Sequence, residues 1–468
     1  MRISSVKEHF GNAPIYRCGS SLAYTKSGLI ILFIWLLWGD FCLTIMESCR
    51  PAIMPLMLRN HSVSNFTIGL LGGSIPALLN FVVNPIISTA SDRTRTKYGR
   101  RIPYLLFSAP FVTIFLILLG WSEEIGQWLY VSCWGGVGSP ALLIVILIGM
   151  FSIGYQFFDL FAGCVYYYIF ADVVPQQFMG RFIGFFRITG SVAGLCFNLL
   201  VMPYIKLHIP LVCTIIGLIY LVGFSGMCLK VKEGDYPPPS PAPPGLWGKI
   251  DSYRKDCFNA PFWIILFLGL GFNYASTTCR SLFNLLYAVE TLNMTTGQYG
   301  QIMAVGSIVS IVLAVPVGYL IDRYHPIRAY IAGAAAVIIV NAFGFYLVHD
   351  YPSFFVVSIL LSMVYVVQIG ARLPLAISLF PKSQFGQFSS ACSMIKALMM
   401  VAANAGGGWF IDKLGYQYIF VWDLLFTLIS FIILCWCYRR WHEYGGDKNY
   451  QPPLRDKSPV TEDSAIPT

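Results

Sequence analysis

Long apolar segments recur along the whole chain, and they constrain its fold more than any other feature. Many of these tracts reach about 18 residues or more, the length at which a helix rising 1.5 Å per residue crosses a bilayer. Of 468 residues, 56% are hydrophobic and 11% are charged, about half the charged share of a soluble domain. A soluble core could not bury so many tracts, so the sequence predicts an all-α membrane protein.

The tracts form twelve predicted transmembrane helices in two sets of six, separated by a proline-rich polar segment. We expect an N-terminal six-helix bundle over residues 28–229, a linker over 230–260 and a C-terminal six-helix bundle over 261–438. The first span, Gly28–Met46, lacks a small-residue cleavage site and is therefore expected to be retained. Residues 1–27 and 439–468 are the expected terminal segments.

Lysine and arginine alternate from one side of the predicted membrane to the other. They concentrate in loops 92–101, 230–255 and 323–328, whereas loops 122–140 and 290–297 contain none. The positive-inside rule then predicts that both termini are cytoplasmic, in a plasma membrane or a bacterial inner membrane. Loop placement accounts for the net charge of +9, so we expect no nucleic-acid partner.

Two pairs of loops match between the predicted halves. The loop after the fourth span runs Pro175-QQFM-Gly180, and the loop after the tenth span runs Pro381-KSQF-Gly386 with the same spacing. An Asp-Arg pair also follows the second span and the eighth span. Equivalent loops on the same side indicate a parallel repeat of six helices.

The loop after the second span, SDRTRTKYGRRIPYLL, holds an unusual concentration of charge for this chain. A membrane anchor needs only Lys and Arg, whereas this loop adds an aspartate, a turn glycine and a helix-starting proline. We interpret it as one side of a gate whose ion pairs hold in one conformation and break in another. A plain positive-inside anchor is the alternative. The predicted gating residues are Asp92, Arg93, Gly99, Arg100, Arg101, Asp322 and Arg323.

These loop motifs resemble those of a known family. The pattern S-D-R-T-x-x-x-x-G-R-R-x-P-Y from Ser91, and D-x-V-P-x-x-x-x-G-R from Asp172, are similar to segments of the glycoside–pentoside–hexuronide:cation symporters. That family lies within the major facilitator superfamily, and the second segment is also similar to sucrose-type carriers. The resemblance implies a major facilitator fold and alternating-access transport of a sugar or glycoside together with a cation.

Four ionisable residues fall near the middle of predicted spans, where charge is costly and typical of functional sites. They are Asp40, Asp159, Arg187 and Lys396. We expect them to line one central cavity and bind solute, with structural ion pairing as the alternative. The resemblance favours the same role. Asp40 is similar to the sugar-binding Asp on the first helix of the melibiose carriers in that family, and the other three are similar to their fourth-helix Asp, fifth-helix Arg and eleventh-helix Lys.

The resemblance also bears on the coupling ion. Melibiose carriers use two carboxylates on the second helix for sodium, whereas this chain has Asn80 and Asn84 at the similar positions. Loss of two negative charges favours a proton over sodium, because cation affinity depends on ligand charge. Asp159 and Asp40 are the predicted titrating groups, and Glu47 is also available. Uncoupled facilitation is the alternative.

Three further charged residues lie in predicted spans, and the sequence does not specify their partners. Arg280 and Arg372 are expected to face the cavity or to pair with Glu47, and Asp423 is expected to be interfacial. The chain carries no enzyme motif and no cofactor or metal spacing. We therefore predict a monomeric secondary carrier of a small molecule, with no enzymatic activity. Alternatives are a carrier of another solute, such as a lysolipid or an organic anion, and a non-transporting membrane sensor.

Overall fold

The computed structural model describes residues 16–18, 22–134, 139–234, 257–258, 260–381 and 385–453. Within these ranges, twelve helices are long and apolar enough to cross a membrane, which confirms the predicted all-α membrane fold. They are α1 (Lys26–Asn60), α2 (Asn65–Ser88), α3 (Ile102–Gly120), α4 (Ala141–Phe170), α5 (Gln177–Val201), α6 (Ile209–Lys230), α7 (Pro261–Thr291), α8 (Thr296–Tyr324), α9 (Pro326–Leu347), α10 (Tyr351–Leu379), α11 (Gln387–Leu414) and α12 (Tyr416–Glu443). A β-hairpin, β1 (Tyr16–Cys18) with β2 (Leu22–Tyr24), precedes α1.

Helix packing repeats between the two halves. In the N-terminal half, α1 packs on α5 and α6, α3 on α4 and α6, and α2 on α4. In the C-terminal half, α7 packs on α11 and α12, α9 on α10 and α12, and α8 on α10. Each pair in the second set is the corresponding first pair shifted by six helices. The six-helix repeat that the matched loops indicated is therefore present in the packing.

The helix bundle has two ends that differ in charge. We call the end that carries turns 93–101 and 323–328 the basic face, and the other end the opposite face. The main contacts between the halves join α5 to α8 and α2 to α11. They involve the ends of these helices at the opposite face, including the approach of Gly300 on α8 to the carbonyl of Asn198 on α5. The halves therefore meet at the opposite face.

Polar contacts reinforce this closure. The Asp412 carboxylate on α11 accepts hydrogen bonds from the backbone N–H groups of Asn65 and Phe66, each at 2.9 Å. These two groups begin α2, where backbone N–H groups have no partner within the helix. On another side of the contact, Arg59 of α1 forms an ion pair with Glu290 of α7, with N–O 2.8 Å.

Helix α1 extends far beyond the predicted end at Met46, and continues to Asn60 through Pro51 and Pro55. The predicted end was wrong because charged residues, which usually end an apolar span, and prolines, which usually break a helix, follow Met46. Membrane helices tolerate proline where side chains and neighbouring helices satisfy the freed backbone groups. The added turns place Glu47 and Arg50 inside the spanning helix.

Candidate functional site

A central cavity of about 1280 Å³ lies between the two halves. Its charged lining residues are Arg187 on α5 and Asp322 in the last turn of α8, near the basic face. Hydroxyl groups are frequent elsewhere in its lining, and apolar side chains separate them. The lining serines are Ser48, Ser191, Ser281, Ser307, Ser310 and Ser362. Since the halves meet at the opposite face, the cavity is open toward the basic face.

A second cavity of about 420 Å³ lies within the N-terminal half. It is lined by Glu47 from α1, Asn80 and Asn84 from α2, and Asp159 from α4. The Nδ2 group of Asn84 donates a hydrogen bond to Oδ1 of Asn80 at 3.1 Å, so the Asn84 carbonyl oxygen is not used in this pair. The structure thus brings together four of the five residues that the sequence predicted for ion coupling.

Asp40, the fifth predicted coupling residue, lies close to this cavity. It is buried at 2% exposure, and Glu47 interacts electrostatically with both Asp40 and Asp159. One carboxylate oxygen of Asp40 and one of Asp159 have no hydrogen-bond partner. Three neighbouring carboxylates repel one another when all are charged, so a proton or a cation among them would be stabilised.

Arg50 is the basic side chain that interacts electrostatically with Asp159. It makes no ion pair within 4.0 Å among the described residues, and instead donates to the Gly72 carbonyl and the Ser152 hydroxyl, each at 3.5 Å. Sequence reasoning missed Arg50 because the first span was ended four residues too early. A span extended through Pro51 would have included it among the intramembrane charges.

The four predicted solute-binding residues do not share one cavity. Arg187 lines the central cavity and Asp159 lines the cavity of the N-terminal half. Neither cavity is lined by Asp40 or Lys396. Asp40 lies against α5, where a Cβ at Gly190 would be 3.6 Å from its carboxylate, and Lys396 lies over a tyrosine ring of α7. Depth in the membrane was predictable, but the direction in which each helix face points was not.

A buried ion pair in the C-terminal half corrects the expectation for Asp423. Its side chain is fully buried, rather than interfacial, and accepts from Nε of Arg280 at 3.2 Å. The hydroxyl of Tyr365 also donates to Asp423, and Arg280 Nη2 donates to Asn341 at 2.6 Å. Arg280 therefore has its own carboxylate partner and does not pair with Glu47.

The predicted gating arginines are held by acidic residues of the N-terminal half. Arg100 and Arg101 both form ion pairs with Asp172, in the last helical turn that continues α4 to Val173. The Glu233 carboxylate, beyond α6, accepts from the backbone N–H groups of Arg100, Arg101 and Ile102 at 2.7–2.9 Å. Asp172 was part of the D-x-V-P motif, but its pairing with these arginines was not predicted.

The other predicted gating residues occupy different positions at the basic face. Gly99 has φ 109°, a left-handed conformation that favours glycine in this turn. The side chains of Arg93 and Arg323 are exposed, and Asp322 lines the central cavity. The side chain of Asp92 lies outside the described part of the structure.

The C-terminal part of the chain matches a known family. Residues 266–462 match the model of the Major Facilitator Superfamily. A 93-residue stretch is 32% identical to the sucrose transport protein SUC3 of Arabidopsis thaliana. That stretch covers 19% of this chain and 15% of the plant protein, so the match spans only a small part of the plant protein.

Several solved transporter structures share the fold over most of the chain. A bacterial homologue of the human lysosomal transporter Spinster, in an inward-facing unoccupied conformation, has a TM-score of 0.68 at 14% identity, covering 92% of this chain and all of that one. The nucleoside transporter NupG gives 0.66 at 12% identity, with 87% and 100% coverage. A bacterial ferroportin homologue gives 0.64 in its inward-facing state and 0.55 in its outward-facing state.

The twelve helices and the cavity between the two halves correspond to the fold of these solved transporters, the major facilitator fold. The family match over the C-terminal part, together with this fold, supports the major facilitator superfamily. The solved structures are too distant in sequence to indicate more than the fold.

Proposed function

We propose that this protein is a cation-coupled symporter of a sugar or glycoside, working by alternating access as a monomer in a cell membrane. The central cavity carries the proposal, because it lies between two six-helix halves that meet at the opposite face and exposes Arg187 beside hydroxyl-bearing side chains. The local match to a plant sucrose transporter supports the sugar class. We propose that the protein lies in the membrane with its basic face in the cytoplasm, as the positive-inside rule expects.

In this proposal the structure represents the inward-facing state. The higher similarity to the inward-facing ferroportin homologue than to its outward-facing form is consistent with that assignment. Solute would leave the cavity toward the cytoplasm, after which the halves would rock about the fixed site. Asp40, Asp159 and Lys396 stay predicted solute ligands for other steps of this cycle, because rocking changes which helix faces border the cavity.

Arg187→Ala is expected to lower sugar uptake in proteoliposomes at least roughly tenfold, because a charge-assisted hydrogen bond to the solute is lost. Arg187 is exposed to the cavity, so the protein should still insert and fold. Arg181→Ala is the matched control, since Arg181 is also an exposed arginine of α5 but does not line the cavity. Equal uptake by the two variants would remove Arg187 from the mechanism, and absence of wild-type uptake across a panel of neutral and acidic sugars would contradict the substrate class.

Proton coupling is proposed for the cavity of the N-terminal half. The acidic groups in and beside this cavity, Asp40, Glu47 and Asp159, outnumber the neighbouring base Arg50, whereas Asn80 and Asn84 add no negative charge. A proton needs a single carboxylate, but sodium affinity increases with the number of charged ligands. Asp159 or Asp40 is the proposed titrating group.

A pH gradient imposed without sodium is expected to drive accumulation of the solute, and a sodium gradient at uniform pH is not. Of Asp159→Asn and Asp40→Asn, the variant that removes the titrating group should abolish accumulation under the pH gradient, because the proton site is lost. Replacing both Asn80 and Asn84 with aspartate should increase the response to sodium, because two charged ligands are restored. Accumulation by wild-type protein under the sodium gradient alone would show the proton assignment to be wrong.

The gate is proposed to act at the cytoplasmic face. Arg100 and Arg101 are already held within one half by Asp172, so Asp92, Arg93, Asp322 and Arg323 are the groups that would meet across the halves when this face closes. Asp92→Asn should change the rate of solute exchange several-fold with little change in equilibrium solute affinity, since no residue of turn 93–101 lines the central cavity. A strong loss of affinity with an unchanged exchange rate would contradict a gating role.

A further inference from the structure

A second group of charges in the C-terminal half has no counter-charge among the residues that the structure describes. Arg372 of α10 and Lys396 of α11 both lie over the ring of Tyr274 on α7, with the guanidinium carbon 4.2 Å and the ammonium nitrogen 4.6 Å from the ring centroid. Neither forms an ion pair with any described carboxylate. The aromatic face attracts both cations but supplies no net negative charge.

The contrast with Arg280 shows what these two residues lack. Arg280 lies in the same half and is neutralised by Asp423. The nearby partner of Arg372 is instead the neutral side chain of Asn273, whose Oδ1 accepts from Arg372 Nη2 at 2.9 Å and from the Tyr330 hydroxyl at 2.5 Å. Two uncompensated positive charges within a membrane span are costly and typical of a ligand site.

Unused hydrogen-bond donors accompany these charges. The Nδ2 group of Asn273 and the Nε group of Arg372 are buried without any hydrogen-bond partner, and Asn273 is fully buried. Gln368, one turn before Arg372 on α10, is also fully buried with both amide atoms unpaired. Buried donors without partners are rare in folded proteins, and a group of donors beside two cations matches the hydrogen-bonding needs of an anion.

The position of this group connects it with the central cavity. Tyr274 lies seven residues before Ser281 on α7, and Arg372 lies seven residues after Tyr365 on α10. Ser281 and Tyr365 both line the central cavity. Seven residues are about two helical turns, so Arg372 and Tyr365 share a face of α10, whereas a break in α7 at Thr277 separates Tyr274 from Ser281. Along these two helices, Tyr274 and Arg372 lie nearer the basic face than Ser281 and Tyr365 do.

We propose that Arg372, Lys396 and Asn273 bind an anionic group, a carboxylate or a sulfate, next to Tyr274. The bound anion is either the acidic group of the transported solute or a separate inorganic anion. The first case rests on the proposed function and means that the carrier prefers solutes with both hydroxyl groups and one acidic group. The acid would contact the C-terminal half while the N-terminal half, rich in carboxylates, holds the coupling cation.

Gluconate and sorbitol provide a matched pair of probes, because they differ by a carboxylate in place of a CH₂OH group. We expect millimolar gluconate to raise the melting temperature of the detergent-solubilised protein at constant ionic strength, and sorbitol to have little effect. Arg372→Gln and Lys396→Gln should each weaken gluconate affinity about tenfold, whereas Lys396→Arg should retain most of it. Lys413→Gln, which removes an exposed lysine from the same helix α11, should behave as wild type.

Inorganic sulfate distinguishes the two sources of the anion. If sulfate stabilises the protein and competes with gluconate, and gluconate is not transported, the site holds a free anion. If gluconate is both bound and taken up, the acid belongs to the solute.

Equal stabilisation by gluconate and sorbitol, or unchanged gluconate affinity in both Gln variants, would overturn the proposal. If Arg372→Gln fails to fold, the comparison of gluconate affinity between Lys396→Gln and Lys396→Arg still tests whether the site binds an anion. Uptake of neutral sugars without gluconate binding would contradict this inference alone.

Discussion

Gly408→Ala is expected to hold the transporter open at the opposite face and to reduce transport strongly. Gly408 on α11 lies so close to α2 that an added Cβ would overlap the backbone carbonyl of Asn65. Backbone cannot move aside as a flexible side chain can, so α2 and α11 must separate. Overpacking of this kind costs about 1–3 kcal/mol, which changes the ratio of the two conformations by a factor of roughly 5 to 150.

Opening can be measured by labelling a cysteine placed in the central cavity. Ser307 lines that cavity, and Ser307→Cys is a nearly isosteric change. Cys133, the exposed native cysteine among the described residues, would first be replaced by serine. In intact cells, a membrane-impermeant maleimide should label Ser307→Cys slowly in the wild-type background and rapidly with Gly408→Ala.

Gly194→Ala is the matched control for this experiment. Gly194 is also a helix glycine, but no described atom lies within 4 Å of the position where its Cβ would be. Labelling and transport should therefore remain as in the wild type. If Gly408→Ala also left both unchanged, the contact of α2 with α11 would not be part of the closed barrier.

Arg280→Ala is expected to destabilise the protein by about 3–5 kcal/mol, the usual result of leaving a buried charge without its partner. The Asp423 side chain is fully buried, and Arg280 is 13% exposed. Asp423 would keep only its contacts with Tyr365 and Thr427. Equilibrium unfolding in detergent measures the change.

Two comparisons show whether the loss comes from the unpaired charge. Replacing Arg280 with methionine and Asp423 with leucine together should recover most of the stability, because neither charge is then left alone. Glu290→Ala at the opposite face should cost only about 0–1 kcal/mol, since its pair with Arg59 is partly exposed. A small effect of Arg280→Ala, similar to that of Glu290→Ala, would mean that water or another group neutralises Asp423.

Sequence reasoning identified the intramembrane charges better than it identified their partners. Asp40, Asp159, Arg187 and Lys396 could be selected from depth alone, because position along an apolar span gives depth directly. Asp159 was placed with Arg187 in one cavity, yet its helix face borders α1 and α2 instead. Arg50 was missed for a local reason, the prolines at 51 and 55, which α1 tolerates within its packed bundle.

The sequence by itself determined the class of fold. Twelve apolar spans, the charge alternation of their loops and the matched loop pairs are local properties, and a bilayer permits helices for such segments. Tertiary structure decided which charges are neutralised. Asp423 pairs with Arg280 from 143 positions away, while Arg372 and Lys396 meet at one tyrosine ring without any described acid. Ion pairing depends on the rotation of packed helices to within a fraction of a turn, and hydropathy along the chain does not specify that rotation.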